Sequence, residues 1–268
     1  MTVSISKRDR RVVVLVWVAG IVVLWEFIAF LLKSVIRDPM ASSELPYLHS
    51  IIVTIAQNWQ GLLGDCAVTY SRALMGFALG VAVGVLLSIL MSLSRMVEKV
   101  AFPYLIISQM IPVLGLAPII FNIVRDMDVS RIIIAAYITF FPVSVNMLSG
   151  LKSVEQDKKD LLYSVAAGKL NVYRKLMIPY SLPYLFTGLK ITAPMAVTAS
   201  ILVDMLGSSS GIGVKILYAL YSSSSSQFWA AVMMSALMGI VSYYIIVFAE
   251  KLVIPWKKDD FAKEGGQE

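Results

Sequence analysis

Runs of about 20 apolar residues recur along this chain, and about 20 is the number a helix needs to cross a hydrocarbon layer roughly 30 Å thick. They cover residues 12–32, 67–93, 102–124, 131–151, 183–206 and 227–251. A lipid interior offers no water to backbone N–H and C=O groups, so only helices and closed barrels can span it. These runs show none of the alternation a barrel strand needs. The expectation is an all-α integral membrane protein with about six transmembrane helices. With 58% hydrophobic residues laid down in blocks, the chain does not pattern as a soluble domain. The net charge of +6 is no footprint for nucleic acid, because the basic residues gather at the ends of the runs.

Residues 1–11 form a short basic tail with Lys7, Arg8, Arg10 and Arg11. A cleaved signal peptide has this order of charge, but its apolar core is shorter and ends at small residues. The run at 12–32 continues through Trp25, Glu26 and Phe27, which predicts an uncleaved first helix. Lys and Arg are frequent in the tail, at Arg95 and Lys99, between 152 and 175, and after Lys251. They are sparser between the other run ends, where Lys33, Arg37, Arg72, Arg125, Arg131 and Lys215 lie. This bias predicts both termini in the cytoplasm, a membrane domain over 12–255, and a cytoplasmic tail over 256–268. Residues 33–65 then lie outside, where Pro39, Ser42, Ser43 and Pro46 break helices and 48–63 suits an amphipathic surface helix.

Within the spans a few residues stand out. Gly76, Gly80 and Gly84 repeat at four-residue spacing, which makes a smooth strip for close helix packing, with substrate contact as the alternative. Pro103, Pro112, Gly115 and Pro118 interrupt the third run, and prolines free carbonyls that a cavity can tolerate. Gln109, Met110, Pro112 and Asn122 there, with Thr198 in the fifth run, are candidates for a translocation path, and packing is the competing account. Glu26 reads as a helix-contact carboxylate, and Arg72 as a residue that snorkels or pairs. Lys190 reads as reaching the inner surface and Asp204 as lying near the outer end. His49, the single histidine, reads as an interfacial residue, since one histidine builds no metal site. Cys66, the single cysteine, allows no intrachain disulfide and reads as a small buried residue. Ser222 to Ser226 read as a connector.

The most informative polar stretch is 152–179. Leu161, Leu162 and Val165 fall at helical spacing, with Lys158, Lys159 and Lys169 around them, and Gly168 suits a helix stop. Helix, turn and helix on the cytoplasmic side make a docking element. The order Asp160-Leu161-Leu162, Ala166, then Ile178-Pro179 resembles the cytoplasmic coupling loop of ATP-binding-cassette (ABC) importer permeases. That loop reads Glu-Ala-Ala, three residues, Gly, and later an aliphatic-Pro pair. Asp160 replaces the glutamate and Ala166 the glycine, and Ala167-Gly168 offers an alternative turn. The runs FFPVSVNMLSGLKSV (140–154) and LPYLFTGLK (182–190) are similar to one branch of the family, which handles nitrate, taurine, sulfonates, bicarbonate, riboflavin and thiamine precursors. Asn122-Ile123-Val124 stands where that branch usually has Trp-Phe-Gly.

The resemblance implies a type I ABC importer permease fold in a bacterial inner membrane. It also implies a homodimer, two ATPase subunits and a substrate-binding protein outside. Asp160, Leu161, Leu162, Val165, Ala166, Ala167, Gly168 and Lys169 would then be the ATPase-coupling residues. ATP and Mg would bind in the partner ATPases, for Gly168-Lys169 lacks the rest of a phosphate loop. No nucleophile elbow or metal-ligand spacing is present either, so the chain itself reads as no enzyme. A stand-alone secondary transporter is the alternative, though no internal repeat is evident.

Overall fold

In a computed structural model, the described residues are 7–35 and 45–257, and they are helical with short connections. The calls on residues 1–6, 36–44 and 258–268, including Pro39, Ser42, Ser43 and most of the C-terminal tail, lie outside the described residues. The elements are α1 (Lys7–Phe30), α2 (Leu48–Leu93), α3 (Arg95–Met110), α4 (Val113–Val124) and α5 (Met127–Lys152). They continue as α6 (Gln156–Ser164), α7 (Lys169–Val172), α8 (Ile178–Met205), α9 (Ile212–Tyr221) and α10 (Ser225–Val253). Among the described residues five helical stretches are long and apolar enough to cross a membrane, six if the bent α3–α4 pair is counted as one span.

Three boundaries differ from expectation. α1 starts at Lys7, within the stretch expected to be a tail. α2 is two helices joined at a kink, so the expected surface helix runs into the second span without the break expected between 63 and 67. It is kinked at Asn58 (φ −116°, ψ 18°), whose amide donates to Thr54 O at 3.0 Å. The serine run is split: Ser223 turns the chain at φ 54°, while Ser225 already opens α10.

The chain divides into two units. One comprises Met1–Gly64 with Lys215–Met234. Its hub is Trp25, whose indole donates to Pro46 O at 3.1 Å and meets the Trp229 ring edge-on at 4.9 Å. The next residue, Glu26, accepts from the backbone N–H of His49 at 3.3 Å. It also faces His49 Nδ1 at 3.4 Å, so its role as a contact carboxylate has a named partner. The His49 ring stacks on Tyr47 and its side chain stays exposed.

The other unit comprises Asp65–Val214 with Ser235–Glu268. Here α5 and α8 pack along one another, and three apolar clusters follow their length. Ala117, Ile134, Ala199 and Val203 join α4, α5 and α8. Val143, Phe186, Leu189 and Ile254 join α5 and α8 to the chain just past α10. Met91, Leu105 and Leu148 join α2, α3 and α5. Glycine lets backbones touch at these crossings. A Cβ on Gly76 would stand 2.5 Å from Ala135 Cβ, one on Gly80 2.6 Å from Ala136 O, and one on Gly84 2.7 Å from Phe140 O. Ser144 Oγ donates across the same seam to Gly84 O at 3.1 Å. Lipid does not drive helices together by burial, so such close packing and hydrogen bonds carry the association.

Candidate coupling surface and translocation path

α6 is short and polar, with Asp157 in its first turn. Its end is a Schellman cap. Ala167 N–H donates to Leu162 O at 3.1 Å and Ala166 N–H to Tyr163 O at 2.9 Å, closing the orphan carbonyls of the last turn. That geometry needs a left-handed residue, and Ala166 supplies it at φ 57°. Gly168 is therefore not the helix stop. It is extended (φ −66°, ψ 156°) and its carbonyl accepts from Asn171 and Val172, so it opens α7 instead. The left-handed turn falls on Ala166, the place where the coupling-loop pattern has glycine, and neither Ala167 nor Gly168 takes it over.

The side chains of this element point away from the chain's own core. Leu161 is 67% exposed, Val165 70% and Leu170 70%, so these apolar side chains have no cover among the described residues. Apolar residues grouped at the surface and rimmed by charge are the signature of a docking patch. Leu162 and Ala167 are half-buried, and Asp160, Gly168 and Lys169 are exposed. Asp160 accepts from Gln156 at 2.9 Å. Lys158 pairs with Glu155 at 3.2 Å, which raises its pKa, and lies over the Tyr180 ring of α8 at 5.2 Å.

The path candidates are spread over three helices. α3 and α4 meet at a 104° bend. Gln109, Met110 and Pro112 are exposed at that corner, where Ile111 and Pro112 are extended between the helices. Asn122 is exposed at the other end of α4, beside the left-handed Arg125 that caps it. Thr198 is exposed on α8, its hydroxyl donating to Pro194 O at 3.1 Å. The structure joins the first three and sets the other two apart.

Sequence reasoning missed the polar pairings. Arg131, read as a flanking residue, is 1% exposed, and its Nε lies 2.8 Å from Asp204 Oδ1. It also donates to Asp128 at 2.9 Å and to Ser210 O at 2.7 Å. Arg72 donates to the other oxygen of Asp128 at 2.9 Å. Thr69 donates to Asp204 Oδ2 at 2.5 Å and accepts from Ile212 N–H at 2.9 Å. Gly211 at φ 113° and Gly213 lie so close to Asp204 that neither has room for a Cβ. Lys190 pairs with Glu250 at 2.7 Å. The available signal was the presence of ionisable residues in apolar runs, which almost always have partners. The identity of those partners has no local pattern.

Fold and site together define a multi-pass helical membrane protein with a short polar helix whose apolar side chains are exposed. The chain belongs to the family described as binding-protein-dependent transport system inner membrane components, whose model matches residues 76–255. It is an ABC importer permease. It is 32% identical to the formylaminopyrimidine transport permease ThiX of Halalkalibacterium halodurans, over 62% of this chain and 66% of that one. It is 32% identical to the riboflavin transport permease RibX of Chloroflexus aurantiacus, over 74% and 73%. It is 26% identical to the nitrate import permease NrtB of Leptolyngbya laminosa, over 73% and 70%. In fold it is similar to a solved amino acid ABC transporter, with a TM-score of 0.62 and 13% identity over 74% of this chain and 97% of that one. An inward facing form of the MetNI methionine transporter gives 0.56 at 17% identity, over 78% and 98%.

Proposed function

We propose that this chain is the membrane subunit of an ATP-driven importer that moves a small solute by alternating access. It would pair with a second copy of itself, two ATPase subunits in the cytoplasm and a substrate-binding protein outside. The observation that carries the reading is the uncovered α6, with Leu161, Val165 and Leu170 presented on a rigidly capped turn. ATP closes the motor pair, α6 moves with it, and the spans rock until the path opens outward. Hydrolysis restores the inward-facing state. Both termini and the segment 152–179 face the cytoplasm in this arrangement.

The solute we favour is uncharged or ring-bearing, of the kind named for the formylaminopyrimidine and riboflavin relatives, over a nitrate- or sulfonate-type anion. Two observations support this. The exposed path candidates Gln109, Asn122 and Thr198 are neutral. The basic side chains Arg72, Arg131 and Lys190 each face a carboxylate, which neutralises them as anion ligands. The test is uptake by the reconstituted complex in proteoliposomes, with the binding protein loaded with a pyrimidine or with nitrate. Uptake that needs ATP and favours the pyrimidine is expected. Uptake driven by an ion gradient alone would point to a secondary transporter, and nitrate uptake would overturn the substrate assignment.

A further inference from the structure

The coupling segment is tied to the spans at two points. The first is covalent: α7 runs through a π turn, Tyr173–Met177, straight into α8. The second is a hydrogen bond. Tyr173 Oη lies 2.5 Å from Ser92 Oγ, 81 residues away at the end of α2. Ser92 Oγ also donates to Ile89 O at 2.9 Å, which uses its one proton, so Tyr173 is the donor between them. Val172, the neighbour of Tyr173, is 1% exposed and anchors this point of the chain.

The π turn has a local cause and a geometric result. Ile178 N–H reaches five residues back to Tyr173 O, and the next residue, Pro179, has no N–H to continue the ladder. A π turn holds one residue more than an α turn, so side chains upstream of it are rotated by about 100° against an unbroken helix. Tyr173 is its first residue, and its hydroxyl meets α2 at Ser92.

We propose that Tyr173 is a positioning residue whose hydroxyl braces the coupling segment to α2. Displacement of α6 then reaches α8 through the backbone and α2 through Ser92 at the same time. α2 carries α5 with it, because Gly76, Gly80 and Gly84 hold their backbones in contact. The proposal rests on the coupling role given to α6 above. Without the brace, α6 drives α8 directly and reaches α2 only by way of α5 and α8, and less solute moves for each nucleotide spent.

The test compares wild type, Tyr173→Phe, Ser92→Ala and the double variant as assembled complexes in proteoliposomes, reading ATP hydrolysis and uptake separately. Each single variant is expected to keep its hydrolysis rate and to lose about fivefold in solute moved per ATP, the factor one hydrogen bond commands. The double variant is expected to lose no more than either single, because both remove the same bond. A wild-type ratio in Tyr173→Phe, or hydrolysis and uptake falling together, overturns the brace. If Tyr173→Phe does not assemble, Ser92→Ala decides alone, by the same two criteria. A wild-type complex that takes up solute without ATP overturns the functional reading itself, which is a distinct result.

Discussion

Arg131 Nε lies 2.8 Å from Asp204 Oδ1, and both side chains are at most 1% exposed. The pair joins the start of α5 to the end of α8 and fastens the chain between α8 and α9 by way of Ser210 O and, through Asp204 and Thr69, Gly213 N–H and Ile212 N–H. Removing Arg131 leaves the buried Asp204 carboxylate without a countercharge, which costs about 3–5 kcal/mol, whereas removing Asp204 leaves Arg131 still facing Asp128. Arg131→Met is expected to lower the melting temperature of the purified chain markedly, and Asp204→Leu to lower it less. The double variant is expected to lose less than Arg131→Met alone, because the stranded carboxylate is gone. Additive losses in the thermal unfolding series would contradict this.

Gly80 faces Ala136 O and Thr139 Cβ, both 2.6 Å from where a Cβ would stand. Backbone cannot yield as a flexible side chain can. Gly80→Ala is expected to destabilise by about 1–3 kcal/mol, the usual cost of overpacking, and Gly80→Leu by more. Thermal unfolding in detergent reads the order; a neutral Gly80→Leu would show that the α2–α5 seam is looser than described.

Ala166 occupies the left-handed region at φ 57°, a conformation that costs an L-residue roughly 1–2 kcal/mol. Ala166→Gly is expected to stabilise the turn by up to about 1 kcal/mol, reduced by the freedom glycine adds to the unfolded chain. Hydrogen exchange at the amides of Ala166 and Ala167 measures it. Faster exchange in the variant would mean the cap is not limited by backbone strain.

Leu161 and Val165 are uncovered, and a Cβ at Gly168 meets nothing within 4 Å. Leu161→Glu, Val165→Glu and Gly168→Glu are therefore expected to leave the fold and melting temperature unchanged. Each is expected to reduce co-purification of the ATPase by tenfold or more, the factor set by about 1.4 kcal/mol at a contact whose apolar side chains are buried by the partner. Undiminished co-purification of all three would remove α6 from the interface.

Much of the fold was legible because its causes are local. Run length and apolarity mark the spans, and Pro112 marks the break between α3 and α4. The glycine spacing at 76, 80 and 84 marks the seam with α5. Local cues also misled. Gly168 looked like a stop, but the cap hydrogen bonds select the residue two after Ser164, which is Ala166. The surface helix expected over 48–63 and the span expected from 67 were set apart, yet they join in α2 with a kink at Asn58. What stayed hidden was pairing across the chain. Arg131 with Asp204, Lys190 with Glu250 and Tyr173 with Ser92 depend on which helices meet, and no window of sequence records that.

The account depends most on where α6 faces and what it touches. In a Cys66→Ser background, Leu161→Cys creates one thiol on the docking face. The account predicts that a membrane-impermeant maleimide reaches this thiol only from the cytoplasmic side, and that a short bifunctional reagent joins it to the ATPase subunit in the assembled complex. Labelling from the outside, or an assembled complex in which this thiol joins to nothing, would contradict it.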